Sequence, residues 1–124
     1  MTIHDELIEG YAHHQAGQLE SAKLIYEKIL VKEPFHFDAL QLLGMLLSQI
    51  GLEREGLHLL LKAVEINSSN PIVLNNLALL QHQLKLYTAA IESFDRAIEL
   101  DPNLVDAHYN KGISLQHIFD LRGF

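Results

Sequence analysis

Eight histidines are the residues in this chain best able to do chemistry. Imidazole nitrogens hold zinc at about 2.0–2.1 Å when three or four ligands converge on one centre. The spacing does not supply that convergence. No two histidines lie four apart, and the neighbours His13 and His14 point to different faces of any helix. The carboxylate pairs Glu53/Glu55 and Glu99/Asp101 fall at expected helix ends on solvated faces. GLEREG at 51–56 lacks the Gly-Lys-Ser/Thr ending of a phosphate loop. No Ser–His–acid set converges, and with no cysteine there is neither thiolate chemistry nor a disulfide. Catalysis, a metal and a cofactor are therefore not expected within these 124 residues. What remains is hydrogen-bonding and stacking chemistry from imidazole, amide and aromatic side chains. The histidines would make any binding pH-sensitive between about 5 and 8.

The bulk numbers narrow the partner. Sixteen acids stand against nine bases, a net charge of −7, and no Lys/Arg cluster exists. Binding to a phosphate backbone relies on such clusters, so no nucleic-acid partner is expected. The apolar stretches fall far short of the ~20 residues of a membrane span, so no membrane partner is expected either. MTIHDELIEG carries acids in place of the basic run that opens a secretory signal. A soluble, acidic, cytoplasmic protein is the expectation, with residues 1–124 forming a single domain.

The elements that must position these side chains come from an internal repeat. At an offset of 34, Gly10, Gly44, Ala78 and Gly112 fall in one column. Ala22, Gly56 and Ala90 form a second, and Tyr26, Leu60 and Phe94 a third. Ile29, Ala63 and Ala97 align, as do Pro34, Ser68 and Pro102. Gly17 and Gly51 match, with Lys85 in their place in the third copy.

Within each copy the apolar residues recur at three- and four-residue intervals, as in YEKILVKEP and FDRAIELDP, which is helical spacing. Turns at 16–18, 50–52 and 84–86 divide each copy in two. Pro34 and Pro102 end helices because proline cannot continue one. Asn70-Pro71 opens a helix, asparagine as N-cap and proline in the first turn, and Thr2 with Asp5 resembles a weaker cap. The pattern predicts seven helices, at 3–16, 19–33, 37–50, 53–67, 71–84, 87–100 and 105–118. Glycine in mid-helix costs ~1 kcal/mol relative to alanine, a cost that makes sense where another backbone approaches. Gly10, Gly44 and Ala78 are thus expected to meet Ala22, Gly56 and Ala90, with the large column filling the space beside them.

Period, small columns, aromatic column and helix-ending proline together resemble the tetratricopeptide repeat. NNLALLQHQLKLYTAAIESFDRAIELDPN, residues 75–103, is very similar to that family's pattern. Glu9 and His13 depart from it in the first repeat, and Gly56 and Ser68 in the second. The resemblance implies an all-α, right-handed α-solenoid of helix-turn-helix repeats at about 3–36, 37–70 and 71–104, with one unpaired helix at 105–118. It also implies a scaffold whose first helices line a concave groove for a protein or an extended peptide.

The candidate groove residues are Tyr11 and His14 in the first repeat and Gln41, Met45 and Gln49 in the second. The third supplies Asn75, Asn76, Leu79, His82 and Gln83, and the last helix Tyr109, Asn110, Ile113, Gln116 and His117. Wider columns add His4, Leu7, Ile8, Gln15, Asp38, Leu42, Ser48, Ile72 and Asp106. None is lysine or arginine, so the clamp by which chaperone-binding members hold a terminal carboxylate is missing. Asn76 and Asn110 share a column, and an amide pairs with a peptide unit whatever the ligand's sequence. Such a series is similar to that of O-linked N-acetylglucosamine transferases, and the alternative reading is the amino-terminal, substrate-presenting arm of a larger enzyme, a bacterial glycosyltransferase. Within such a stack, His14 and His82 lie two repeats apart, too far to share an ion when packed helices sit ~8–10 Å apart. His82 and His117 are in adjacent repeats but lack a third ligand. Leu115, Ile118, Phe119 and Phe124 on the last helix lack a mate, which opens a third reading, self-association through the carboxy-terminal helix.

Overall fold

The structure, a computed structural model, describes residues 1–123. Among these, seven α-helices and their turns account for the chain, with no strand. In order they are α1 (Ile3–Gln15), α2 (Leu19–Lys32), α3 (Phe37–Gln49), α4 (Glu53–Ile66), α5 (Pro71–Gln83), α6 (Tyr87–Leu100) and α7 (Val105–Leu121). None is long and apolar enough to cross a membrane. The chain is all-α, a succession of helix-turn-helix repeats. Two compact units divide it, Met1–Ile66 with α1–α4, and the residues from Asn67 onward with α5–α7.

Local chemistry sets the helix starts. Thr2 Oγ1 accepts the Asp5 amide at 3.1 Å, and the Asp5 carboxylate accepts the Thr2 amide at 3.2 Å, a complete capping box. Asn70 Oδ1 accepts the Ile72 and Val73 amides at 2.9 and 3.1 Å, with Pro71 in the first turn. α3 starts on a cap that was not expected, His36 Nδ1 accepting the Ala39 amide at 3.2 Å. The turns inside each repeat pass through a left-handed residue, Gly17 at φ 79°, Gly51 at φ 90° and Lys85 at φ 64°. Lysine has a Cβ, so it holds this conformation against a steric cost that glycine does not meet.

The first unit packs α1 on α2 and α3 on α4, with α2 against α3. Its core cluster is Ala22, Tyr26, Leu43, Leu46 and Leu47, ringed by Leu7, Leu30, Leu42 and Leu59. In the second unit α6 packs on both α5 and α7, around Ala78, Ala90, Phe94 and Ala107. The large column is buried as expected, Tyr26, Leu60 and Phe94 each being fully inaccessible. Burial of one such side chain is worth about 1.5–3 kcal/mol.

The small columns work differently in different repeats. At Gly56 an added Cβ would stand 2.5 Å from Gly44 O, so these two backbones touch as expected. Gly10 instead faces the ring of Tyr26, 2.8 Å from where its Cβ would be, and not Ala22. The bulk of Tyr26, where Leu60 stands in the next copy, reaches the first helix before Ala22 does. Gly112 has open space beside it.

α7 runs to Leu121, one turn beyond the expected 118. No breaker interrupts it until Gly123, at φ 79°, which donates to Asp120 O at 3.2 Å. Leu115 and Ile118 are half-buried, while Phe119 and Leu121 are exposed. Phe124, expected to be uncovered, lies outside the described residues.

Candidate binding surface

In the first unit, residues 11, 14 and 15 recur on one face of α1, and 41, 45 and 49 on one face of α3. Tyr11, His14, Gln15, Met45 and Gln49 line one cleft of about 450 Å3. Gln41 lies one turn before Met45 and is half-buried. No charged residue lines this cleft.

Its polar groups are ordered by one another. Gln15 Nε2 donates to the Tyr11 hydroxyl at 2.6 Å. His14 Nε2–H donates to Gln49 Oε1, an oxygen that can only accept. In the neutral ring Nδ1 is then the acceptor, and the Tyr26 hydroxyl, 3.4 Å away, donates to it. Burial, with Tyr11 nearby, pushes the Tyr26 phenol up to about 12, so it keeps its proton.

The second unit brings a different part of the candidate set together. His82 on α5 and His117 on α7 have ring centroids 5.3 Å apart, edge to face. Tyr87 on α6 stacks on His117 at 4.8 Å and 2°, and meets His82 edge-on at 5.2 Å. His82 Nδ1 is hydrogen-bonded to Ser114 Oγ at 2.8 Å. Burial, then the neighbouring His117, holds the His82 imidazole below its ordinary value.

The remaining candidates sit around this cluster. Asn76 and Asn110 are half-buried and make no side-chain hydrogen bond among the described residues. Asn75 Oδ1 is buried with no hydrogen-bond partner. Leu79 is packed against the Phe94 cluster. Tyr109 is exposed, Ile113 half-buried, and Gln116 donates to Asp120 Oδ1 at 3.0 Å. Gln83 is exposed at the end of α5. No group of three or more histidines and carboxylates among the described residues is placed to hold a metal.

Three features were missed in the sequence. Tyr87 joins the histidine cluster from just past the 84–86 turn, and no column marks it. Glu6 is buried, its carboxylate meeting Lys32 Nζ at 2.7 Å and Lys28 Nζ at 3.5 Å. The Lys32 hydrogen bond outweighs desolvation and lowers its carboxyl below the ordinary value, helped by both lysine charges. Ser93 Oγ donates to Gln81 Oε1 at 2.7 Å in the α5–α6 interior. The last two had a signal: Glu6 shares a column with Leu40 and Leu74, Gln81 with Leu47, and Ser93 with Leu59. A polar residue in a core column needs a partner, and each has one.

The tetratricopeptide repeat family model matches residues 71–104, the stretch that holds α5 and α6. Anaphase-promoting complex subunit 3 of Schizosaccharomyces pombe is 25% identical over 104 residues, which is 84% of this chain and 16% of that protein. The first TPR of Spaghetti (RPAP3), solved bound to the HSP90 peptide SRMEEVD, superposes with a TM-score of 0.89 at 16% identity. That likeness covers 94% of this chain and 92% of the other. The Thermobaculum terrenum O-GlcNAc transferase superposes with a TM-score of 0.86 at 24% identity, over 91% of this chain and 22% of its own. The chain thus spans a small fraction of the yeast subunit and of the transferase. The stretch 71–104 is thus a tetratricopeptide repeat, and the 34-residue period carries the same helix pairs and buried columns through the two preceding copies, which resemble it.

Proposed function

We propose that this chain is a non-catalytic scaffold that binds extended peptide segments of protein partners along the first helices of its repeats. The observation that carries this reading is the uncharged cleft of Tyr11, His14, Gln15, Met45 and Gln49. Hydroxyl and amide groups there offer donors and acceptors to a peptide backbone, while the thioether and phenol ring receive an apolar side chain. Asn76 and Asn110, with no side-chain partners of their own, extend the same chemistry to the second unit. The repeat module of Spaghetti bound to a peptide supports the general mode. The acidic sequence of that peptide does not suit this chain, whose candidate residues include no cation.

Capture of partners from a cell extract by the wild-type chain tests the proposal. Tyr11→Ala with Met45→Ala, and separately Asn76→Ala with Asn110→Ala, are expected to weaken retention of the same partner at least tenfold. Both variants should keep the wild-type circular dichroism spectrum. Leu24→Ser, on an exposed position of α2, should bind as wild type. Undiminished binding by both double variants would overturn the assignment.

A second reading, the substrate-presenting arm of a larger glycosyltransferase, is favoured by the likeness to the O-GlcNAc transferase, of which this chain spans 22%. The full reading frame decides it. A catalytic domain encoded in frame supports the arm, and a stop codon directly after Phe124 removes it.

A further inference from the structure

We propose that His82 and His117 form a proton-operated latch that holds α7 against α5 and α6, so that acidification loosens the second unit's part of the peptide surface. Its consequence rests on the binding reading above; the latch itself does not.

The geometry is that of two basic rings forced together. Their centroids are 5.3 Å apart, and Tyr87 touches both, stacked on one and edge-on to the other. One helix of the unit supplies each ring: α5 brings His82, α6 brings Tyr87 and α7 brings His117. Ser114 Oγ ties the His82 ring to α7 as well. Any change that parts these rings therefore acts on the docking of α7.

The charges around the cluster oppose a second proton. On the α5 side the next charged group is Lys85, which lines one cleft with Tyr87, Ile118 and Arg122. α6 contributes Glu92, which lines a separate cleft with Lys85 and Tyr87. On α7, Asp120 accepts from Gln116, and Lys111 is paired with Asp95 of α6 at 2.6 Å. No carboxylate is hydrogen-bonded or ion-paired to either imidazole among the described residues. One imidazolium on the face of Tyr87 is tolerated, since an aromatic face attracts a cation. Two, with ring centroids 5.3 Å apart, repel each other.

The sign follows from the neutral pair being the compact one. Unfolded, His82 titrates near its ordinary 6.5, and folded it titrates lower. The unfolded or undocked state takes up the proton first, so the latch is fully closed above 6.5 and weakens as the pH falls from there through the folded value.

Amide hydrogen exchange on the full chain reads this directly, as protection corrected for intrinsic rates. From about pH 7.5 to about pH 5.5, α7 amides at 107–118 should lose protection relative to those of α2 and α3, in the direction set by the lowered His82 value. His117→Phe keeps a ring to stack on Tyr87 and removes one proton site. It should reduce the pH response by the part that His117 contributes, leaving the part that burial of His82 supplies. His117→Gln serves the same purpose should the phenylalanine disturb folding. Wild-type protection independent of pH, or an undiminished response in both variants, overturns the latch. No peptide is present in the measurement, so the latch and the binding reading fail separately.

Discussion

Gly56 and Gly44 bring α4 and α3 into backbone contact, with Gly44 O 2.5 Å from where a Gly56 Cβ would stand. The other repeats hold Ala22 and Ala90 in the Gly56 column, so glycine here answers a local need and not a family habit. Gly56→Ala is expected to destabilise the protein by about 1–3 kcal/mol, the usual cost of overpacking. Gly112→Ala meets open space and gains helix propensity, and should stabilise by about 0.5–1 kcal/mol. Urea denaturation of the two variants checks both signs, and equal effects would refute the contact.

Lys85 occupies at φ 64° the position that glycine holds in the two preceding turns. Left-handed backbone costs a residue with a Cβ about 1–2 kcal/mol, and glycine returns part of that gain through its freer unfolded chain. Lys85→Gly should therefore raise stability by about 0.5–1 kcal/mol net. A rise in Tm with an unchanged helical spectrum is the expected readout. A fall would mean that the lysine side chain contributes more than its backbone costs.

Glu6 gives the first unit a specific response to acid. Folded, its carboxyl titrates below the ordinary 4.5 because Lys32 and Lys28 hold it charged; unfolded, it returns to that value. The unfolded chain takes up the proton first, so this stabilisation is full above pH 4.5 and is lost as the pH falls through the folded value. Glu6→Gln should lower the urea midpoint at neutral pH and converge with wild type under acid. A constant gap across the pH series would refute the ion pair.

Gln81 and Ser93 replace leucine columns together and satisfy each other. Gln81→Leu alone strands the buried Ser93 hydroxyl, at a cost of about 1–3 kcal/mol. Adding Ser93→Ala should recover most of that loss, because no polar group is then left unpaired. The double-mutant cycle measures the coupling, and additive losses would contradict it.

The two histidine contacts repeat one relation at different places in the chain. His14 bonds Gln49 and His82 meets His117, each partner lying 35 residues on, one repeat and one residue further. The sequence places these four side chains in groove columns, and His82 and His117 in adjacent repeats, without fixing the contacts they make. Rotamers make the difference, since a column fixes the direction of Cα–Cβ but not where the ring ends.

The helices, their caps and their order are set by the sequence alone, because each depends on residues within a turn or two of one another. Thr2 with Asp5, Asn70 with Pro71, and the three turns at 16–18, 50–52 and 84–86 are all of this kind. The 34-residue period adds the pairing of neighbouring helices, since short turns leave them little alternative. Tertiary structure decided what lies between helices. It set Gly10 against Tyr26, gave Glu6 two lysines 22 and 26 positions away, and assembled His82, Tyr87 and His117 from three helices. Those choices depend on side-chain length and rotamer at contacts remote in sequence, where a packed interior leaves one arrangement that fills space and satisfies every buried charge.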